Sequence, residues 1–406
     1  MRHFCSRAAA WIAALALASA CGKPAAVINA AAVIDTLPHG IIRVTSNEPT
    51  GWRDSSAAWK IREVRRFGTP NGPGELIDPG SLGIDGAGRL YVVDSKPAVI
   101  KVFDSAGTFI RTIGREGAGP GEFRVAFMAV RGGHVVVHDP QQSRTSVFDT
   151  TGAFVASWKS SCCYWDEVAI DQAERIYIPT MGPPDSGGRS RGRAFTRFTL
   201  TGALIDTLYV PDRSSQVKTW EFSQKGKDGK SMSRMSSSVP YTPVAVQTYH
   251  PEGGFVTGWS AEYSLVRSPG GSDTTRVMRR AWTPEVIPTA LRQARVDEMV
   301  KNATNMVGES NARATVRLDD VPTKAPAFTS LKVDGAGYLW ARRLIGGDSI
   351  RTTFDVFAPA GAWLGGLTMP VAVPEYGGHV ITAGDFYTRS EDDDGRPVVI
   401  RFRIIR

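Results

Sequence analysis

Apolar residues in this chain come in short runs separated by turn residues. Between Gly72 and Phe123 there are four such runs, at 81–84, 90–93, 99–103 and 108–113. Each has the length of a strand, and the last alternates apolar and polar positions, as a strand with one wet face does. The stretch opens and closes on one phrase, Gly-Pro-Gly-Glu plus a large apolar residue, at 72–76 and again at 119–123. A unit that ends where its copy begins is a repeat.

A turn followed by an apolar strand start recurs at Leu90, Val135, Ile176, Phe255, Leu339 and Val380, in steps of 45, 41, 79, 84 and 41 residues. Three steps are near forty and two near eighty, the long ones holding extra sequence. A period near forty with four strands per unit predicts an all-β fold, a six-bladed β-propeller of four-stranded blades. Each unit reads as an inner strand, a turn such as Asp85-Gly86-Ala87-Gly88, a second strand, a loop and a third strand. A second turn, such as Asp104-Ser105-Ala106-Gly107, then leads to an outer strand. Asp bonds to nearby backbone N–H groups and Gly tolerates positive φ, so both suit these turns. The last unit runs out of chain before its outer strand. The segment 59–67 (WKIREVRRF) precedes the first Gly-Pro-Gly-Glu as 109–113 precedes the second, so this N-terminal strand is expected to close the ring. Residues 40–46 make a further strand with no assigned partner.

Gly-Pro-Gly-Glu-Phe, Asp-x-x-Gly-x-Leu-Tyr-Val-x-Asp and Lys-Val-Phe-Asp-x-x-Gly together resemble the NHL repeat. Over residues 40–406 the chain is similar to bacterial six-bladed β-propeller proteins, many of which carry lipoprotein signals. The resemblance implies the fold more sharply than the function.

The first twenty residues read as a secretory signal, with basic Arg2 and Arg7, an apolar core at 8–17 and small residues at 18–20. Residues 17–21 resemble a bacterial lipobox, which would make Cys21 the lipidated N-terminus and 21–39 a tether. Ala18 departs from the leucine usual three places before the cysteine, and plain secretion is the alternative. The protein is therefore expected to be exported, either held in the outer membrane or periplasm as a lipoprotein or secreted, and to meet membrane only through that anchor. Cleavage leaves 46 basic against 40 acidic residues without a basic block, which argues against nucleic acid as a partner. A monomer is expected.

Three segments exceed the repeat: 182–193, 211–240 and 283–327. By strand order all three leave the ring on one face, and loops that grow on a rigid scaffold are where function gathers. The third contains the predicted helix, 288–307, with Leu291, Ala294, Met299, Ala303 and Met306–Val307 as its apolar positions. It either packs on the rim or caps the central channel as a lid.

Candidate chemistry is sparse. Asp94 and Asp139 end equivalent second strands and either bind a ligand or metal in the channel or satisfy loop backbone. Lys96, Arg115, Arg342 and Arg343 are cations on the mouth loops that could attract an anion, and Trp165 is an aromatic contact candidate there. Cys162 and Cys163 are candidates for a strained disulfide between neighbours, or are two buried thiols. No histidine falls in the segments expected to line the channel, so a three-histidine metal site is not predicted. No cofactor is evident, although a divalent cation in the channel stays open. The leading expectation is a module that binds a protein or glycan through the inserted face. The alternative is a metal-dependent hydrolase or lyase, resembling lactonases, with its site in the channel.

Overall fold

The computed structural model describes residues 32–406 except 53–55, 161–166, 184–191, 212, 214–215, 226–231, 272, 345–350 and 376. Three strands precede the first blade: β1 (Ala32–Thr36), β2 (Ile42–Ser46) and β3 (Lys60–Phe67). Blade 1 is the antiparallel meander β4 (Pro79–Ile84), β5 (Leu90–Ser95), β6 (Ala98–Phe103) and β7 (Phe109–Ile113). A short parallel pair, β8 (Arg115–Glu116) and β9 (Glu122–Phe123), flanks the second Gly-Pro-Gly-Glu. Blade 2 is β10 (Phe127–Arg131), β11 (His134–Asp139), β12 (Arg144–Asp149) and β13 (Phe154–Lys159). Blade 3 is β14 (Ala169–Ile170), β15 (Ile176–Met181), β16 (Arg193–Phe198) and β17 (Leu204–Tyr209).

A separate hairpin, β18 (Thr219–Lys225) and β19 (Met232–Ser238), follows. Blade 4 is β20 (Ala245–Tyr249), β21 (Phe255–Trp259), β22 (Ser264–Ser268) and β23 (Arg276–Arg280). Two helices, α1 (Thr289–Val307) and α2 (Glu309–Thr315), lead to blade 5. That blade is β24 (Ser330–Val333), β25 (Leu339–Arg342), β26 (Thr353–Phe357) and β27 (Trp363–Thr368). Blade 6 is β28 (His379–Ile381), β29 (Asp385–Glu391) and β30 (Pro397–Ile405), completed by β3. The chain is a six-bladed propeller, as its repeat predicts.

The middle strands explain the apolar runs. A second or third strand is covered on both faces by neighbouring blades, so β5 and β6 are buried almost end to end. Inner strands touch one another across the seams, β4 with β10 and β28, β10 with β14, and β20 with β24. The Gly-Pro-Gly-Glu phrase is a turn in which the Glu N–H bonds to the first Gly carbonyl, at 3.1 Å in both copies. It delivers the next apolar residue to a seam: Leu76 packs between blades 6 and 1, and Phe123 between blades 1 and 2.

The first-to-second strand turn is held by one aspartate in three blades. Asp85 accepts the Ala87 and Arg89 N–H groups (both 2.9 Å), the Arg89 guanidinium and the Tyr91 hydroxyl. Burial works against its charge, but these donors outweigh it and hold the carboxyl below its ordinary range. Asp171, Arg175 and Tyr177 repeat the set. In blade 5 the sequence has Tyr338 where the arginine would be. Arg406 supplies the guanidinium to Asp334 at 3.2 Å instead, stacked over Trp59 and Tyr338.

Ring closure follows the expectation, with β3 pairing antiparallel to β30 from Lys60↔Ile405 to Phe67↔Val399. The strand at 40–46 finds its partner too: β2 pairs parallel with β23, and β1 pairs with β2, so blade 4 grows to six strands. Part of the expected tether, residues 32–36, is thus strand. Blade 6 corrects the alignment of repeats. The segment at Val380 is the inner strand β28, and the second strand starts at Asp385. The equivalent doublets are Leu90-Tyr91, Ile176-Tyr177, Leu339-Trp340 and Phe386-Tyr387, an apolar residue followed by a buried aromatic.

Candidate functional site

In a meander the first-to-second and third-to-fourth turns lie at one end of the blade, and the remaining connections at the other. The hairpin β18–β19 joins blades 3 and 4, and the helices join blades 4 and 5, so both leave at the second end. They fold together. Trp220, Phe222 and Val239 from the hairpin segment share a core with Val296, Val300 and Ala303 of α1 and Ala312 of α2. Asp320 ties them, accepting the Trp220 indole N–H and the Lys218 ammonium, each at 3.0 Å. The buried stripe of α1 differs from the expected one: Val296 and Val300 face the hairpin, and Ala294 is exposed, because the partner is the hairpin rather than the ring. Met232 and Met306 stay exposed on this platform. Among the described residues, none of those lining the central channel comes from α1 or the hairpin.

The channel is a cavity of about 450 Å³ lined by the inner strands of all six blades. Its centre is polar. Lys332 of blade 5 pairs with Glu167, which enters blade 3, and the Tyr249 hydroxyl of blade 4 donates to the Glu167 carbonyl at 2.6 Å. Burial opposes charge on Glu167, but the Lys332 ammonium outweighs it and holds the carboxyl below its ordinary range. His379 of blade 6 also lines the cavity. Its Nδ1 lies 3.1 Å from the Gly377 carbonyl, and its Nε2 is buried without a partner. Burial and then the Lys332 charge push its pKa down to about 4. The sequence pattern predicts no histidine in the channel. The slip of one strand in blade 6 hid it, and the Phe386-Tyr387 doublet was the signal that places it on the inner strand.

The residues singled out from sequence do not converge. Asp94 is fully buried, accepts the Ile77 and Asp78 N–H groups (3.1 and 2.8 Å) and pairs with Lys101 at 2.9 Å. Asp139 accepts the Arg124, Gln141 and Gln142 N–H groups. Both therefore tie the loops that follow Gly-Pro-Gly-Glu. Lys96 pairs with Asp78, Arg115 with Glu122 and Arg343 with Glu285, while Arg342 donates to the Val373 carbonyl at 2.7 Å. None of these lines the channel cavity. Cys21, Cys162, Cys163, Trp165 and most of 182–193 lie outside the described residues.

A divalent cation in the channel would need free oxygen donors. Asp85 and Asp334 spend their oxygens on turn N–H groups, and Glu167 is held by Lys332. Among the described residues no three His, Cys, Asp or Glu side chains are grouped as metal ligands. The donor set does not fit such an ion.

Three histidines, His138 and His379 buried and His250 partly so, give a pH dependence. His138, whose Nδ1 meets Thr145 and Ser160 hydroxyls at 3.2 and 3.1 Å, is pushed to about 4 by burial. His250 is pushed to about 4 by burial and then by Arg267 and Arg276, and His379 likewise by burial and Lys332. Unfolded histidine titrates near 6.5. The folded values lie below it, so their stabilising contribution is present above pH ~6.5 and is lost as pH falls toward 4. Each should add a slope of up to ~1.4 kcal/mol per pH unit in that window. Urea unfolding at stepped pH checks this, and His379→Asn should flatten the curve by one histidine's share.

The family comparison agrees on architecture. Residues 76–129 match the family DUF5128, described as a 6-bladed beta-propeller. Blade 1 carries that match. None of the curated proteins matches the chain in sequence. A Bacteroides fragilis protein described as exported is similar in fold at 14% identity, over 90% of this chain and 100% of that one, with a TM-score of 0.48. A DUF4221 family member from Bacteroides vulgatus is similar at 10% identity, over 85% and 98%, with a TM-score of 0.49. Virginiamycin B lyase from Staphylococcus aureus is similar at 10% identity, over 86% and 100%, with a TM-score of 0.41. These are likenesses of shape.

Proposed function

We propose that this propeller is an exported binding module that engages a protein partner through the platform built by β18–β19, α1 and α2. One observation carries the reading: insertions from two separate connections meet on one face and share a single apolar core. Neither the ring nor its closure uses that core. A rigid scaffold that adds a folded platform to one face follows the pattern of loops kept for recognition, and exposed Met232 and Met306 offer adaptable apolar contact. Export, with or without a lipid on Cys21, rests on the N-terminal signal. No described helix is long and apolar enough to cross a membrane. Metal-assisted hydrolysis or elimination in the channel is the weaker reading, since the channel donors do not fit the ion it needs.

The test replaces 212–240 and 283–325 with short Gly-Ser connectors. The variant is expected to keep the β-sheet circular dichroism and cooperative unfolding of the ring. It should lose the partner that the intact chain cross-links in cell envelopes. Equal capture by both chains, or capture of glycan only, would overturn a protein-binding platform.

A further inference from the structure

The end of the ring opposite the platform holds a second cavity, about 460 Å³, between blades 4 and 5. Its walls come from turns: Pro251 and Glu252 of blade 4, Gly335–Gly337 and Ala358–Pro359 of blade 5. Three basic side chains line it, Arg267, Arg276 and His250.

Arg267 is only 8% exposed. Its guanidinium donates to the Gly253 carbonyl at 2.6 Å and, at 3.5 Å, to that of Phe255. Arg276 donates to the Pro359 carbonyl at 2.6 Å, and its Nε is buried without a partner. Neither arginine forms an ion pair with a described carboxylate. Elsewhere in the ring a buried arginine has one: Arg197 meets Asp206 at 2.5 Å and Arg280 meets Asp355 at 2.6 Å. Taking a guanidinium out of water costs several kcal/mol unless a counter-charge offsets it. Here two share one cleft, and burial draws the Arg267 pKa below its ordinary value although the Glu252 charge pulls it up. Glu252 is the one carboxylate among the lining residues, and its side chain is turned largely to solvent. Val256, Met278 and Leu339 supply an apolar wall beside the cations.

We propose that this cleft binds a small organic anion. Its carboxylate or phosphate sits between Arg267 and Arg276, and its body lies against Val256, Met278 and Leu339. Guanidinium groups bind such oxyanions through paired, charge-assisted hydrogen bonds. The volume lies within the range of small-molecule sites, larger than a bare ion needs. The ionisable groups facing the ligand are Arg267, Arg276, His250 and Glu252. A bound anion would favour protonated His250, so binding and protonation are linked.

Calorimetric titration of the full-length chain tests this with two probes, inorganic phosphate and octanoate, at low salt. Saturable one-site binding of at least one is expected, phosphate reporting a phosphoryl head and octanoate a carboxylate with an apolar tail. Arg276→Gln should weaken it about tenfold or more, the scale of one charge-assisted contact. Glu252→Gln should tighten it by removing the opposing charge, and Arg62→Gln, at an exposed position of the closing strand β3, should change nothing. In wild type, the His250 ring-proton midpoint should rise from about 4 on saturation. No saturable binding of either probe up to millimolar concentration would overturn the proposal. So would unchanged affinity in both Arg276→Gln and Glu252→Gln, or a His250 midpoint that ignores a bound probe.

Discussion

Replacing Asp355 by alanine should cost about 3–5 kcal/mol of stability, the range for stranding the other half of a buried ion pair. Asp355 on β26 is fully buried. It accepts the Tyr263 hydroxyl and an Arg280 N–H, both at 2.6 Å from blade 4, and the Trp363 indole N–H at 3.1 Å from its own blade. The Arg280 guanidinium lies 4.6 Å from the Tyr263 ring and 3.8 Å from the Trp363 ring, which fixes it between two π faces. Alanine at 355 would leave the Tyr263 and Trp363 donors without this acceptor and the Arg280 cation, whose Nε keeps only the Ala281 carbonyl at 3.2 Å, without its counter-charge. The double variant Asp355→Ala/Arg280→Met removes the stranded charge as well and should recover part of the loss, a coupling visible in a double-mutant cycle. Urea unfolding of the four proteins measures it. A single-variant cost below about 1 kcal/mol, ordinary for a surface change, would show that the seam is held by apolar packing alone.

What the sequence made legible was whatever repeats. Gly-Pro-Gly-Glu and the Asp-x-x-Gly turns are local chemistry, and each kept its meaning in the fold: turn and N–H acceptor. The recurrence of Asp94 and Asp139 at one repeat position pointed to their structural use, since a ligand site rarely needs the same residue in successive blades. The strand at 59–67 was readable because its neighbour, the turn phrase, was. Residues without a repeat could not be placed that way. Glu167, Lys332 and His379 meet only because three blades face one axis, a contact spanning 165 residues between the first two. His379 was hidden further by blade 6, where a different inner strand begins with an apolar run that mimics a second strand. The platform core was half visible. The helix period was there, but its true seam of Val296 and Val300 depended on a hairpin whose own sequence, rich in serine, gives little hint of a core beyond Trp220 and Phe222. No motif or repeat position singles out Arg267 and Arg276 in the sequence. Arg267 is buried and Arg276 partly so, and their place side by side in one cleft, neither in an ion pair with a described carboxylate, marks them out.

A chain that begins at Gly68 should fail to form the folded monomer, while one that begins at Glu48 should keep it. The first truncation removes β3, the fourth strand of blade 6. It takes away the fully buried Phe67, a loss of about 3–5 kcal/mol by itself. It also removes seven residues paired with β30 and bares Val399, Ile400, Phe402 and Ile404, which are buried in the closed ring. A net stability of about 5–15 kcal/mol does not survive that sum, and the exposed edge of β30 invites association. The second truncation removes only β1 and β2 from the outside of blade 4. It loses the Val44 side chain and the 2.9 Å bond from the Trp363 N–H to Ser46 Oγ, and leaves the ring closed. Size-exclusion chromatography and circular dichroism separate the outcomes: a monomer with lowered melting temperature for the chain from Glu48, and aggregate or unfolded chain from Gly68. Because β3 meets the ring through one edge, a synthetic peptide spanning 58–68 should restore monomer to the shorter chain when added during refolding. A chain from Gly68 that folds as a monomer at the full-length melting temperature would mean that blade 6 stands on three strands and that the ring does not depend on its closing strand.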